Sequence, residues 1–114
     1  MRNDIFQKLV QVARAQTLVT YDELNRQLNL GLDFNYPPDR ELIGEWLGVI
    51  SEEEVKAKRH MLSALVVHKE GDGYGDPGKG FYEYAKTLGV YLGGDDLGFW
   101  AGEVKWLHSY WKTH

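Results

Sequence analysis

At 114 residues, with a formal charge of −4 and no cysteine, the chain has room for one domain around one core. It has no means of making a disulfide, a thiolate metal site or a cysteine nucleophile. No apolar run approaches the roughly 20 residues that span a bilayer, and Met1-Arg2-Asn3-Asp4 lacks the apolar stretch of a signal peptide, so no membrane contact and a cytoplasmic location are expected.

In chain order, Ile5, Phe6, Leu9, Val10, Val12 and Ala13 recur at helical spacing and predict an amphipathic helix over 3–16 with Asn3 or Asp4 as its cap. Thr20 followed three residues later by Glu23 is a capping-box pattern, opening a second helix marked by Tyr21, Leu24 and Leu28 that ends near Gly31. Asn35-Tyr36-Pro37-Pro38 breaks the chain. A third helix is predicted from Asp39 with Leu42, Ile43, Trp46, Leu47 and Ile50 on its apolar side. Ser51-Glu52-Glu53-Glu54 reads as a fresh polar start for another turn or two, with Lys56, Lys58 and Arg59 as solvated counter-charges.

The β-branched run Leu62 to Val67 predicts a strand that enters a turn dense in glycine, at Gly71, Gly73, Gly75, Gly78 and Gly80. A helix follows from Phe81 to Leu88 and stops at Gly89. The last helix, Asp95 to Trp111, aligns Leu97, Trp100, Val104, Leu107 and Trp111 on one face, which Phe99, Trp106 and Tyr110 widen. That breadth makes Trp100, Trp106 and Tyr110 candidates for a homodimer or a protein partner.

Three of these pieces together, Leu18-Val19-Thr20-Tyr21-Asp22-Glu23-Leu24, the helix around Gly44, and Leu62-Ser63-Ala64-Leu65-Val66-Val67 running into glycine, resemble the C-terminal winged-helix domain of alkylguanine-DNA alkyltransferases and alkyltransferase-like proteins. The similarity covers about Ile5 to Gly89, with longer segments at 30–40 and 51–60. It implies an α+β, winged helix-turn-helix-like core over 1–90 and a C-terminal helical extension over 91–114, all in one domain. The resemblance makes Tyr21 the counterpart of the tyrosine that helps turn a nucleotide out of the duplex. It offers Arg40 as the intercalating arginine, although four positions separate Arg40 from Gly44 and the family has three, a rotation of about 100 degrees on a helix.

Where the family carries its reactive cysteine, histidine and arginine, this chain has Ser63, Ala64 and Leu65. A nucleophile needs an adjacent base. Ser63 has none in sequence, so alkyl transfer is excluded and a non-catalytic recognition module is expected. Its nucleic-acid candidates are Tyr21, Arg40, Ser63, Lys69 and Lys79. The acidic charge and Glu41 and Glu45 on the third helix oppose tight phosphate binding.

The stretch Gly71 to Phe81 contributes Gly73, Asp76, Gly78 and Gly80 as a shaped loop ahead of a helix, but Gly80 follows Lys79 where a P-loop needs Ser or Thr. The alternatives are a protein-interaction module, or an enzyme sited at loop 70–81 that uses Asp72, Asp76, Lys79 or His68. Glu70, Asp72 and Asp76 depart from the calcium-loop spacing. His60, His68, His108 and His114 show no zinc-ligand spacing, so neither metal nor cofactor is expected. Glu103-Val104-Lys105 matches half of a nuclease motif, but its helical context makes it a surface pair.

Overall fold

A computed structural model describes residues 1–114. Helix α1 (Asn3–Arg14) buries Ile5, Leu9, Val10, Val12 and Ala13. Arg2 rather than Asn3 or Asp4 stands at its N-cap. Strand β1 (Val19–Thr20) runs directly into α2 (Tyr21–Gln27), which opens on both bonds of the capping box: the Glu23 N–H donates to Thr20 Oγ1 at 3.1 Å, and the Thr20 N–H donates to Glu23 Oε1 at 3.0 Å. This satisfies donors that a helix start leaves without partners. The helix stops before Gly31 because Asn29 is already left-handed, at φ 53°. Asn25 then ties down the exit, its side-chain amide bonding both backbone groups of Leu32.

Helix α3 (Pro37–Lys56) begins two residues ahead of Asp39 and passes through Ser51 without a break. Proline suits the first turn, where no backbone donor is needed. The expected restart at Ser51 fails because Ile43, Leu47, Ile50, Ser51 and Glu54 all lie on one buried face. Ser51 and Glu54 find partners inside it. Glu54, only 2% exposed, is held by the forked guanidinium of Arg59, so this pair is not the solvated surface charge that the sequence suggests.

Residues Leu62–Leu65 form a buried 3-10 turn rather than strand, and only Val66–Val67 remain as β2. Strand β2 pairs with β1 in parallel, Val19 opposite Val66 and Thr20 opposite Val67. Strands β3 (Lys69–Glu70) and β4 (Gly73–Tyr74) make a separate antiparallel hairpin across the glycine-rich stretch. Helix α4 (Lys79–Thr87) is closed by Gly89 at φ 76°, the left-handed stop that glycine permits.

Helix α5 (Asp96–Lys112) starts at Asp95, whose carboxylate accepts the Gly98 N–H at 2.9 Å. It packs on α1 and the 3-10 turn, burying Glu103, Leu107 and Trp111. Leu97 does not join the predicted stripe and is 65% exposed. Glu103, which the sequence suggests as a surface residue, is instead buried at 7% exposure. Five helices and two small sheets make an α+β domain, with no helix long and apolar enough to cross a membrane.

Candidate functional site

The first turn of α2, one face of α3, the start of β3 and the Pro77–Tyr84 segment enclose a cleft of about 620 Å³. This lies within the usual range of small-molecule sites. Tyr21, Arg40, Ser63, Lys69 and Lys79, drawn from five separate elements, α2, α3, the 3-10 turn, β3 and α4, all line it. So do Gly78 and Gly80, whereas Gly73 pairs with Glu70 in the hairpin and Asp76, bonded to the backbone of His68 and Gly78, does not line the cleft. Of the residues considered for an enzyme at the glycine-rich loop, His68 and Lys79 reach the cleft and Asp72 and Asp76 do not.

One wall is pinned in place. The Tyr21 hydroxyl donates to the Pro77 carbonyl at 3.0 Å, and the Tyr21 ring lies against His68 with centroids 4.8 Å apart and meets Phe34 edge-on. Burial, aided by the nearby Asp76 carboxylate, pushes the Tyr21 phenol up to about 12, so it stays a donor at neutral pH. The His68 N–H donates to the Asp76 carbonyl at 2.8 Å, the Gly75 N–H returns a bond to the His68 carbonyl at 2.7 Å, and Asp76 Oδ1 accepts the Gly78 N–H at 2.8 Å. Gly78 sits at φ 87°, and a Cβ there would come 2.5 Å from His68 Nε2. Only glycine lets the chain turn so close to that ring.

The floor comes from α3 and the 3-10 turn. Ile43, Leu47, Gly44 and Gly48 present an apolar surface, and a Cβ at Gly44 would meet nothing within 4 Å, whereas one at Gly48 would strike the Tyr84 ring. Ser63, 8% exposed, is the buried polar group at this end. Its oxygen lies 2.7 Å from that of Ser51, and its N–H donates to Ser51 Oγ at 3.2 Å. The partner of Ser63 is therefore another hydroxyl, which has no capacity to act as a general base at neutral pH.

The rim carries Arg40, Lys69 and Lys79 against Asp22, Glu41, Glu45 and Glu83, a net of one negative charge. Arg40 Nη1 donates to the Phe34 carbonyl at 3.0 Å, and Lys79 Nζ lies 3.7 Å from Glu83. No carboxylate lies within bridging distance of Arg40 or Lys69.

The candidate partner aromatics lie elsewhere. The Trp100 indole N–H donates to the Ala64 carbonyl at 2.8 Å. Trp106 is stacked between His60 at 4.1 Å and Tyr110 at 4.8 Å, and Tyr110 stacks on His114 at 3.9 Å, so four rings form one column along α5. At its base His60 Nδ1 meets Glu103 Oε2 at 2.8 Å. Burial pushes the Glu103 carboxyl up, with His60 pulling the other way. No three histidine or carboxylate side chains converge as a metal site.

Sequence reasoning missed Ser51, Phe34 and the buried Glu103. Two of them carried a signal: Ser51 follows Leu47 by four residues, and Glu103 precedes Leu107 by four, in phase with the buried faces of their helices. No protein-family model, curated protein or solved structure matches this chain.

Proposed function

We propose that this chain is a non-catalytic recognition module of winged-helix type, with β3–β4 as the wing, whose cleft receives a nucleotide base turned out of a nucleic-acid strand. The observation that carries this reading is the convergence of Tyr21, Arg40, Ser63, Lys69 and Lys79 on one cleft from separate parts of the sequence. Apolar side chains at Phe34, Ile43, Leu47 and Phe81 suit the faces and edges of a planar ring, and the rim cations suit the flanking phosphates. Ser63 beside Ser51 has no base to activate it, so the reading is binding without transfer. With Glu41, Glu45 and Glu83 on the same rim, affinity is expected to be weak, on the order of 10⁻⁴ to 10⁻⁶ M, and to fall steeply with salt.

The test is fluorescence anisotropy with a short duplex carrying one unpaired base and its fully paired counterpart, at two salt concentrations. The unpaired base should bind better, and Gly44→Phe, at a cleft-lining position where an added Cβ meets nothing within 4 Å, should abolish that preference without lowering the melting temperature. Equal binding of the two duplexes, or a preference unaffected by Gly44→Phe, would refute the reading.

A further inference from the structure

The pair of hydroxyls at the cleft floor has more order than packing requires. Ser51 is wholly buried on α3, and Ser63 is nearly so. Ser51 Oγ accepts the Ser63 N–H, and its single proton goes to Ser63 Oγ at 2.7 Å. A serine hydroxyl has one proton and two lone pairs. With one lone pair of Ser63 occupied by Ser51, its proton has no acceptor in the protein. The α3 side chains at the floor, Ile43 and Leu47, offer none, and neither Glu41 nor Glu45 of the rim is hydrogen-bonded to Ser63.

We infer that Ser63 is a specificity-determining hydrogen-bond donor and Ser51 its positioning residue, so that the cleft selects a planar ligand whose inserted edge carries an acceptor, a carbonyl oxygen or an unprotonated ring nitrogen. This rests on the proposal that a base enters the cleft. A ring with an acceptor satisfies the Ser63 proton. A ring of the same shape without one seals that proton away from water unpaired, a penalty equivalent to about tenfold in affinity. The hydroxyl takes no part in bond-making: it reads the edge of the ring.

The experiment uses the full chain and three single-stranded oligonucleotides built of abasic sites. One carries a single central thymine, one its acceptor-poor isostere 2,4-difluorotoluene, and one no base. Thymine should bind about tenfold more tightly than the isostere, with the isostere still ahead of the baseless strand. Ser63→Ala should bring thymine down to the isostere, and Ser51→Ala should narrow the gap by freeing the Ser63 hydroxyl to rotate. The ratio between the two probes is the readout, since a purely structural role for Ser51 would weaken both alike. If thymine and isostere exceed the baseless strand equally, the cleft takes a base but Ser63 does not read it, and this inference is overturned while the function proposed above stands. If all three strands bind alike, both fall.

Discussion

Two glycines one helical turn apart on α3 predict opposite responses to the same substitution. Replacing glycine by alanine inside a helix contributes about 1 kcal/mol of stability through propensity. At Gly44 the added Cβ meets nothing within 4 Å, so Gly44→Ala should gain that amount, raising the melting temperature by about 4 °C for a domain of this size. At Gly48 the Cβ would stand 2.6 Å from Cε2 and 2.7 Å from Cζ of Tyr84, where carbon pairs rest at about 3.5 to 4.0 Å. The ring, half-buried at the α3–α4 contact, has to move outward, and such overpacking costs about 1 to 3 kcal/mol. Set against the propensity gain, Gly48→Ala should be neutral to about 2 kcal/mol destabilising. Urea denaturation of both variants measures the difference, and Tyr84→Ala supplies the control. Without the ring, Gly48→Ala should become stabilising, with a coupling energy of about 1 to 3 kcal/mol between the two sites. If Gly48→Ala stabilises the unaltered chain as much as Gly44→Ala does, α4 does not seat Tyr84 against α3 and the cleft wall is misplaced.

The remaining expectations concern single groups. Ultraviolet titration should find two phenols at about 12, Tyr21 held by burial and Tyr91 by its bond to Asp96, and Tyr21→Phe should remove one of them. Because the folded value of Tyr21 lies above the ordinary 10.0, its contribution is complete below that pH and lost as pH rises toward about 12, a loss of at most about 2.7 kcal/mol that Tyr21→Phe should escape. Glu103, also raised, fits the fold better protonated, so its contribution is present below 4.5 and disappears as pH climbs through the raised value. Glu103→Gln should therefore gain on the wild type between about pH 4.5 and pH 7 in urea melts, and a gap that moves the other way would contradict the burial of this carboxyl. Arg59→Ala strips the buried Glu54 of its partner and should cost about 2 to 3 kcal/mol. Lys56→Ala, which touches only exposed carboxylates, should change stability by less than about 0.5 kcal/mol.

What the sequence made legible was local chemistry. The capping box at Thr20 and Glu23, the left-handed stop at Gly89 and the periodicity of α1 are each decided within a few residues, and each stands as expected. The misreadings share a cause. Ser51 resembles a helix cap, and Leu62 to Leu65 resemble a strand, until the rest of the chain encloses them: Ser51 meets Ser63, and the 3-10 turn lies under α1, α3 and α5. Likewise Glu54 and Glu103 read as surface charges because their partners, Arg59 and His60, make burial tolerable only through contacts beyond their own turns. The cleft itself was visible as residue types but not as a place. Two of its two-residue strands, β1 and β2, pair across 46 intervening positions, Thr20 to Val67, and that pairing brings the start of α2, with Tyr21, beside His68.

The ring column on α5 also has an optical consequence. His60, Trp106, Tyr110 and His114 are nearly parallel, with interplanar angles of 14°, 10° and 10° between successive rings. Indole and phenol transitions 4.8 Å apart couple to one another and contribute aromatic bands to the far-ultraviolet dichroism. Helicity taken from that spectrum alone would be misjudged for the intact protein. Those bands depend on side-chain registry rather than on backbone, so they would vanish when the α5 rings lose their alignment. A measurement that normally reports helices would then register the loss of tertiary packing at the C-terminal end of the chain.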